Sequence, residues 1–153
     1  MARLNLLSAG TELDPEAEGW GVLRFGLSLG ATQIVGNVWD LAPGVEPNDY
    51  HYEFPDEEWL VVLSGRPTLR TPVGREELAP GDVVVFPPGP DGAHQLANDT
   101  SEPARVLMFS PKSPTGITVY PDLGRVNAMA GDQDLPLALQ RDEGDLHYYE
   151  HEG

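Results

Sequence analysis

The apolar positions of this chain fall in short, nearly continuous runs closed by turn residues. Trp59-Leu60-Val61-Val62-Leu63, Val83-Val84-Val85-Phe86 and Val106-Leu107-Met108-Phe109 are the clearest, and Gln33 to Leu41 runs similarly into Pro43-Gly44. Apolar runs of this length between turn signals read as buried strands. Thr68-Leu69-Arg70-Thr71, Pro72-Val73-Gly74 and Arg75-Glu76-Glu77-Leu78 read as strand, tight turn and strand. Trp20 to Leu29 reads as an early strand pair. Proline recurs at short intervals from Pro43 to Pro103. Inside a helix it costs about 3 kcal/mol, so no long helix is expected between residues 40 and 115. The pattern predicts an all-β fold of many short strands, a sandwich or a barrel. With no internal repeat and no linker, residues 1–153 read as one domain.

Composition sharpens this picture. The 17 Gly and 15 Pro are spread along the chain as punctuation between strands. A length of 153 suits a single ordinary domain. Nine basic residues against 25 acidic ones leave a net charge of −16. That charge solvates the surface and repels phosphate backbones, so no nucleic-acid partner is expected. Cysteine is absent, which removes disulfides, thiolate metal sites and a Cys nucleophile. No apolar run approaches the roughly 20 residues that span a bilayer, so no membrane partner is expected. Met1 to Gly10 lacks the features of a secretory signal, and a cytoplasmic location is expected. Six acids, Glu46, Asp49, Glu53, Asp56, Glu57 and Glu58, stand together with no Lys or Arg between them. A second acidic segment covers about 132–153, where the aromatics Tyr148 and Tyr149 favour docking over a loose tail.

The candidate chemistry lies near two of the four histidines. His51 and Glu53 are two apart, so on a strand they share a face. Phe54-Pro55-Asp56-Glu57 reads as a turn, and Glu58 opens the next strand, which runs to Leu63. If the two strands pair across that turn, Glu58 faces the same interior as His51. Burying that carboxylate unpaired would cost several kcal/mol, a cost that a metal, a charged ligand or a solvated strand end would each remove. His94 opens a short strand after the loop Pro87-Pro88-Gly89-Pro90-Asp91-Gly92, and Asn98 fits its end as a structural residue. His147 and His151 have helical i, i+4 spacing but read as part of an ordinary acidic tail. Trp39, Tyr50, Tyr52, Phe54, Trp59, Phe86 and Met108 read mainly as core, and Arg66 and Arg70 as solvent-facing.

These spacings resemble the two motifs of the cupin superfamily. Gly44, six residues, His51-Tyr52-Glu53, four residues, Glu58, six residues and Gly65 resemble the first. Gly81, five residues, Pro87-Pro88-Gly89, four residues, His94, three residues and Asn98 resemble the second. The likeness is greatest to small single-domain bacterial members, with a motif-bearing core at about 33–110. It implies a double-stranded β-helix, the cupin jelly-roll barrel, holding a metal inside. The family's metal-binding His, Glu and later His fall on His51, Glu58 and His94. Glu53 stands where the family usually has a second His, and the gap before His94 is four residues where two are common. The implied ligand set is His51, Glu53, Glu58 and His94. It would hold a divalent metal ion, with Mn or Fe favoured and Zn or Ni possible. Two functions follow from the resemblance. One is a divalent-metal-dependent enzyme acting on a small polar metabolite, as dioxygenase, isomerase or decarboxylase. The other is a non-catalytic binder of a sugar or organic acid with a structural or vestigial metal site. A homodimer that protects strand edges is expected in either case.

Overall fold

The computed structural model describes residues 1–10, 12–13, 19–130, 133–142 and 145–149, with side chains for 1–10 and 19–130. The strands are β1 (Glu12–Leu13), β2 (Trp20–Leu23), β3 (Ile34–Leu41), β4 (Tyr52–Phe54), β5 (Glu58–Ser64), β6 (Thr68–Thr71) and β7 (Gly74–Glu77). They continue with β8 (Val83–Phe86), β9 (Gln95–Ala97), β10 (Ala104–Pro111), β11 (Thr115–Tyr120), β12 (Arg125–Ala130), β13 (Gln133–Asp142) and β14 (Asp145–Tyr149). A short α-helix, α1 (Phe25–Ser28), follows β2, and Pro90–Gly92 and Pro121–Leu123 each form a single 3-10 turn. Among the described residues no helix is long and apolar enough to cross a membrane.

The all-β expectation stands, but the closed barrel does not. The strands form three separate open sheets, in the orders β1-β2-β3-β10-β5-β8, β14-β13-β12-β11-β4 and β7-β6-β9. A barrel needs one ladder that returns to its first strand. Here the chain passes between sheets through segments that cannot carry a ladder. Pro55 separates β4 from β5, Gly65 and Pro67 separate β5 from β6, and Pro87 to Gly89 separate β8 from β9. Proline lacks the N–H a ladder needs. Gly65 and Gly89 take left-handed φ values of +77° and +88°, which turn the chain out of the sheet. One isolated antiparallel bridge, His51 with His94, joins the approach to β4 with the approach to β9.

The six-stranded and three-stranded sheets pack face to face. Leu41, Leu60, Val62, Phe86, Val106 and Met108 from the first meet Leu69 and Leu96 from the second, with Leu78 beside them. Each such side chain, fully buried, stabilises the fold by about 1.5–3 kcal/mol. The apolar runs are therefore buried on alternate residues rather than throughout. Leu60 and Val62 face in, while on the edge strand β8 Val83 and Val85 are 56% and 40% exposed. The early strand pair expected over Trp20 to Leu29 is also corrected. After β2 the chain turns into α1, and the Phe25 ring fills the space that Gly36 leaves open on β3.

Candidate metal centre

The His51–His94 bridge sets the geometry of the site. His51 N–H donates to the His94 carbonyl at 3.0 Å, and His94 N–H donates back to His51 at 2.8 Å. Directly opposed residues on an antiparallel pair present their side chains to one face, and the two rings lie 4.6 Å apart. Phe86 stacks on His94 at 3.7 Å with a 10° interplanar angle. Glu58 is opposite Phe86 in the β5–β8 register and shares the inward face with Leu60. Its Oε2 lies 3.2 Å from His94 Nε2. Ligand atoms of His51, Glu58 and His94 all lie within 4.8 Å of one another.

The donor set fits a cation. His51 Nδ1 donates to the Asp49 carbonyl at 2.7 Å, and His94 Nδ1 donates to the Gly92 carbonyl at 2.9 Å. A carbonyl only accepts, so each Nδ1 carries the proton, and in the neutral ring Nε2 is left with a lone pair. A metal-binding histidine usually donates its other ring N–H to a carbonyl in this way, which fixes the ring's orientation. His94 Nε2 is buried and has no hydrogen-bond partner. It faces the Glu58 carboxylate, and two electron-rich atoms this close need a positive charge to hold them. With no cysteine in the chain, the available donors are nitrogen and oxygen. Burial, reinforced by the neighbouring His94, lowers the His51 pKa and favours the neutral, metal-competent ring.

Glu53 is not one of the three clustered groups. It sits on β4, where its Oε1 accepts from the Thr118 hydroxyl at 3.2 Å. Burial, and then the nearby Glu58, raise its pKa above the ordinary carboxylate value. The expected β4–β5 pairing does not occur, because β4 pairs with β11 while β5 pairs with β8 and β10. His51, on the approach to β4, and Glu58, on β5, therefore reach the site from parts of the fold that do not pair with each other.

His51, Glu53 and Glu58 line a cavity of about 380 Å³. Its wall also includes Trp39, Asn48, Asp49, Met108, Tyr120 and Arg125. Of these, Asn48, Asp49, Tyr120 and Arg125 were not singled out as site residues from the sequence. One usable signal was the period of two. Thr118 and Tyr120 alternate on β11, Arg125 and Asn127 alternate on β12, and the register pairs Tyr120 with Arg125 and Thr118 with Asn127.

The remaining sequence candidates are accounted for as follows. Asn98 is fully buried and structural, its Nδ2 donating to the Leu41 and Glu102 carbonyls at 3.0 and 2.9 Å. Arg66 pairs with Glu77, and Arg70 pairs with Asp122 while lying over the Tyr50 ring. Trp59 stacks on Phe109. His151 and the acids at 14–18 lie outside the described residues, and His147 lies on β14, whose side chains are not described.

Residues 37–110 match a family model described as a cupin domain. No curated protein matches the chain in sequence. Several solved structures share the fold. A sugar phosphate isomerase of the cupin superfamily from Silicibacter pomeroyi aligns with a TM-score of 0.74 at 24% identity, covering 99% of this chain and 94% of that one. A proposed sugar phosphate isomerase from Acidithiobacillus ferrooxidans aligns with a TM-score of 0.67 at 25% identity, covering 86% and 76%. The polyketide cyclase RemF from Streptomyces resistomycificus aligns with a TM-score of 0.61 at 22% identity, covering 72% and 79%.

Proposed function

The chain belongs to the cupin superfamily, and from that premise we propose that it is a divalent-metal-dependent isomerase of a small polar hydroxycarbonyl metabolite. His51 Nε2, His94 Nε2 and a Glu58 oxygen are the ligands of this proposal. The observation that carries it is the meeting of two imidazoles, each with Nδ1–H spent on a carbonyl, with one carboxylate within 4.8 Å. When bound, the ion supplies a Lewis acid that polarises a carbonyl oxygen and stabilises the charge of an enolate. Carboxylate in the donor set favours Mn or Fe over Zn or Ni.

Glu53 is the proton-transfer group. It lines the cavity beside His51 and Glu58 without being one of the three clustered groups, so its carboxyl is placed to take and return a proton. Thr118 holds the side chain by its hydroxyl without neutralising it. Moving a proton between adjacent carbons is the step an isomerase needs. The two similar structures described as sugar phosphate isomerases favour this reaction over oxygenation or decarboxylation. The proposal also takes the chain as one domain acting in the cytoplasm as a homodimer. Exposed Val83 and Val85 on the edge strand β8 support a dimer that covers them.

The test is solvent-deuterium exchange at the carbon next to the carbonyl, followed by NMR across a panel of small hydroxyaldehydes and hydroxyketones. Manganese-loaded protein is expected to catalyse exchange. Glu53→Gln is expected to keep its metal and lose about 100-fold or more of the rate. Undiminished exchange in Glu53→Gln, or no exchange by any metal-loaded form, contradicts the proposal.

A further inference from the structure

A buried polar atom without a partner is costly, so such atoms are few and call for a reason. Among the described residues five side-chain atoms are in this state: Trp39 Nε1, Asn48 Nδ2, His94 Nε2, Arg125 Nε and Asn127 Oδ1. His94 Nε2 belongs to the metal centre. Three of the other four are N–H donors, and their residues, Trp39, Asn48 and Arg125, line the cavity that His51, Glu53 and Glu58 also line. They come from β3, from the loop before β4 and from β12, so no single element explains the coincidence.

Each donor is left over for a visible reason. Asn48 Oδ1 accepts from the Leu96 N–H at 3.3 Å, which fixes the amide so that Nδ2 has no protein acceptor. The Arg125 guanidinium lies 4.0 Å over the Tyr120 ring and reaches Asp49 only through Nη2, at a long 3.4 Å. Trp39 leans on Trp20 at 5.6 Å and its indole N–H finds no acceptor. By contrast the Trp59 indole donates to Glu57 at 3.0 Å.

We propose that Trp39, Asn48 and Arg125 form an oxyanion receptor that takes the carboxylate or phosphate end of the substrate. A guanidinium matches either group with two parallel hydrogen bonds, and the indole and amide donors add to it. A cavity of about 380 Å³ suits a small hydroxy acid or sugar phosphate. That the receptor presents the other end of such a molecule to the metal rests on the function proposed above; anion recognition itself does not.

The same wall carries Asp49, Glu53 and Glu58 against Arg125. A divalent ion on His51, Glu58 and His94 offsets two negative charges there. Anion affinity therefore rises when the metal is bound, and metal affinity rises by the same factor when the anion is bound.

The experiment is calorimetric titration of metal-stripped and Mn(II)-loaded protein with inorganic phosphate and, separately, with glycolate. Mn(II) affinity is measured independently in anion-free buffer, and thermal melts establish that each variant folds. Arg125→Gln is expected to weaken anion binding about tenfold or more, as loss of a charged hydrogen bond does. Trp39→Phe, which removes the N–H and keeps the ring, and Asn48→Asp, which keeps the acceptor for Leu96, are each expected to weaken it severalfold. Mn(II) affinity in anion-free buffer is expected to stay within about threefold for Arg125→Gln and Trp39→Phe, since neither removes a metal ligand. The stronger of the two anions identifies the substrate's charged group. Anion affinity that is the same in wild type, Arg125→Gln and Trp39→Phe overturns the receptor, as does the absence of Arg125-dependent binding in both metal states. Failure of the metal reading shows separately, as no Mn(II) uptake in the anion-free titration.

Discussion

His94 is held on every side. Its Nδ1–H is spent on Gly92, its face is covered by Phe86, its edge meets His51, and its Nε2 points at Glu58. Replacing it with Ala removes one metal donor and opens space around a residue that is only 1% exposed. His94→Ala is expected to lose Mn(II) binding by about 100-fold or more, since even a residue that only hydrogen-bonds a ligand is worth about 10–100-fold. Titration with Mn(II) measures this. Titration of the neighbours gives two opposed pH dependences in the metal-free protein. His51, with its pKa lowered, holds fewer protons folded than unfolded. Its contribution to stability is complete above its ordinary value of 6.5 and is lost as pH falls from there toward the folded pKa. Glu53, with its pKa raised above 4.5, does the opposite. Its contribution is present at low pH and is lost as pH rises through the folded pKa. Glu53→Gln, which cannot ionise, is therefore expected to raise the melting temperature of metal-free protein at pH 8 and to leave it nearly unchanged at pH 4. Melting curves at the two pH values check the sign. His51, Glu58 and His94 were legible in the sequence because their spacing is local to two motifs. Trp39, Asn48 and Arg125 were not legible as donors. Whether a polar atom has a partner depends on residues far away in the chain, such as Leu96 for Asn48.

At the scale of elements, short apolar runs closed by Gly and Pro located β3, β5, β8 and β10 well. They did not reveal which strands pair. Adjacency in sequence favoured β4 with β5, whereas Pro55 sends the chain from one sheet to another, and β4 finds β11 instead. Gly65 shows the same device at the end of β5. A Cβ there would lie 2.5 Å from both Ala104 Cα and the Pro103 carbonyl oxygen, and φ is +77°. Backbone atoms cannot step aside as a flexible side chain can. Gly65→Ala is therefore expected to destabilise the protein by more than about 1 kcal/mol, read as a lower urea midpoint with unchanged slope.

At the scale of the molecule, the described strands form three open sheets and no closed ladder. The cavity is walled by both of the larger sheets. β3, β5 and β10 supply Trp39, Glu58 and Met108, while β4, β11 and β12 supply Glu53, Tyr120 and Arg125. The site thus depends on how the sheets meet, which no single motif encodes. The net charge of −16 divides accordingly. Among the described acids, Glu53 and Glu58 stand in the cavity wall and make it receptive to a cation. Anomalous scattering from crystals soaked in Mn(II) tests this claim most directly. One strong peak bounded by His51 Nε2, His94 Nε2 and Glu58, absent in Glu58→Gln crystals, is the expected result. No peak there, or a peak elsewhere that persists in Glu58→Gln, would contradict it.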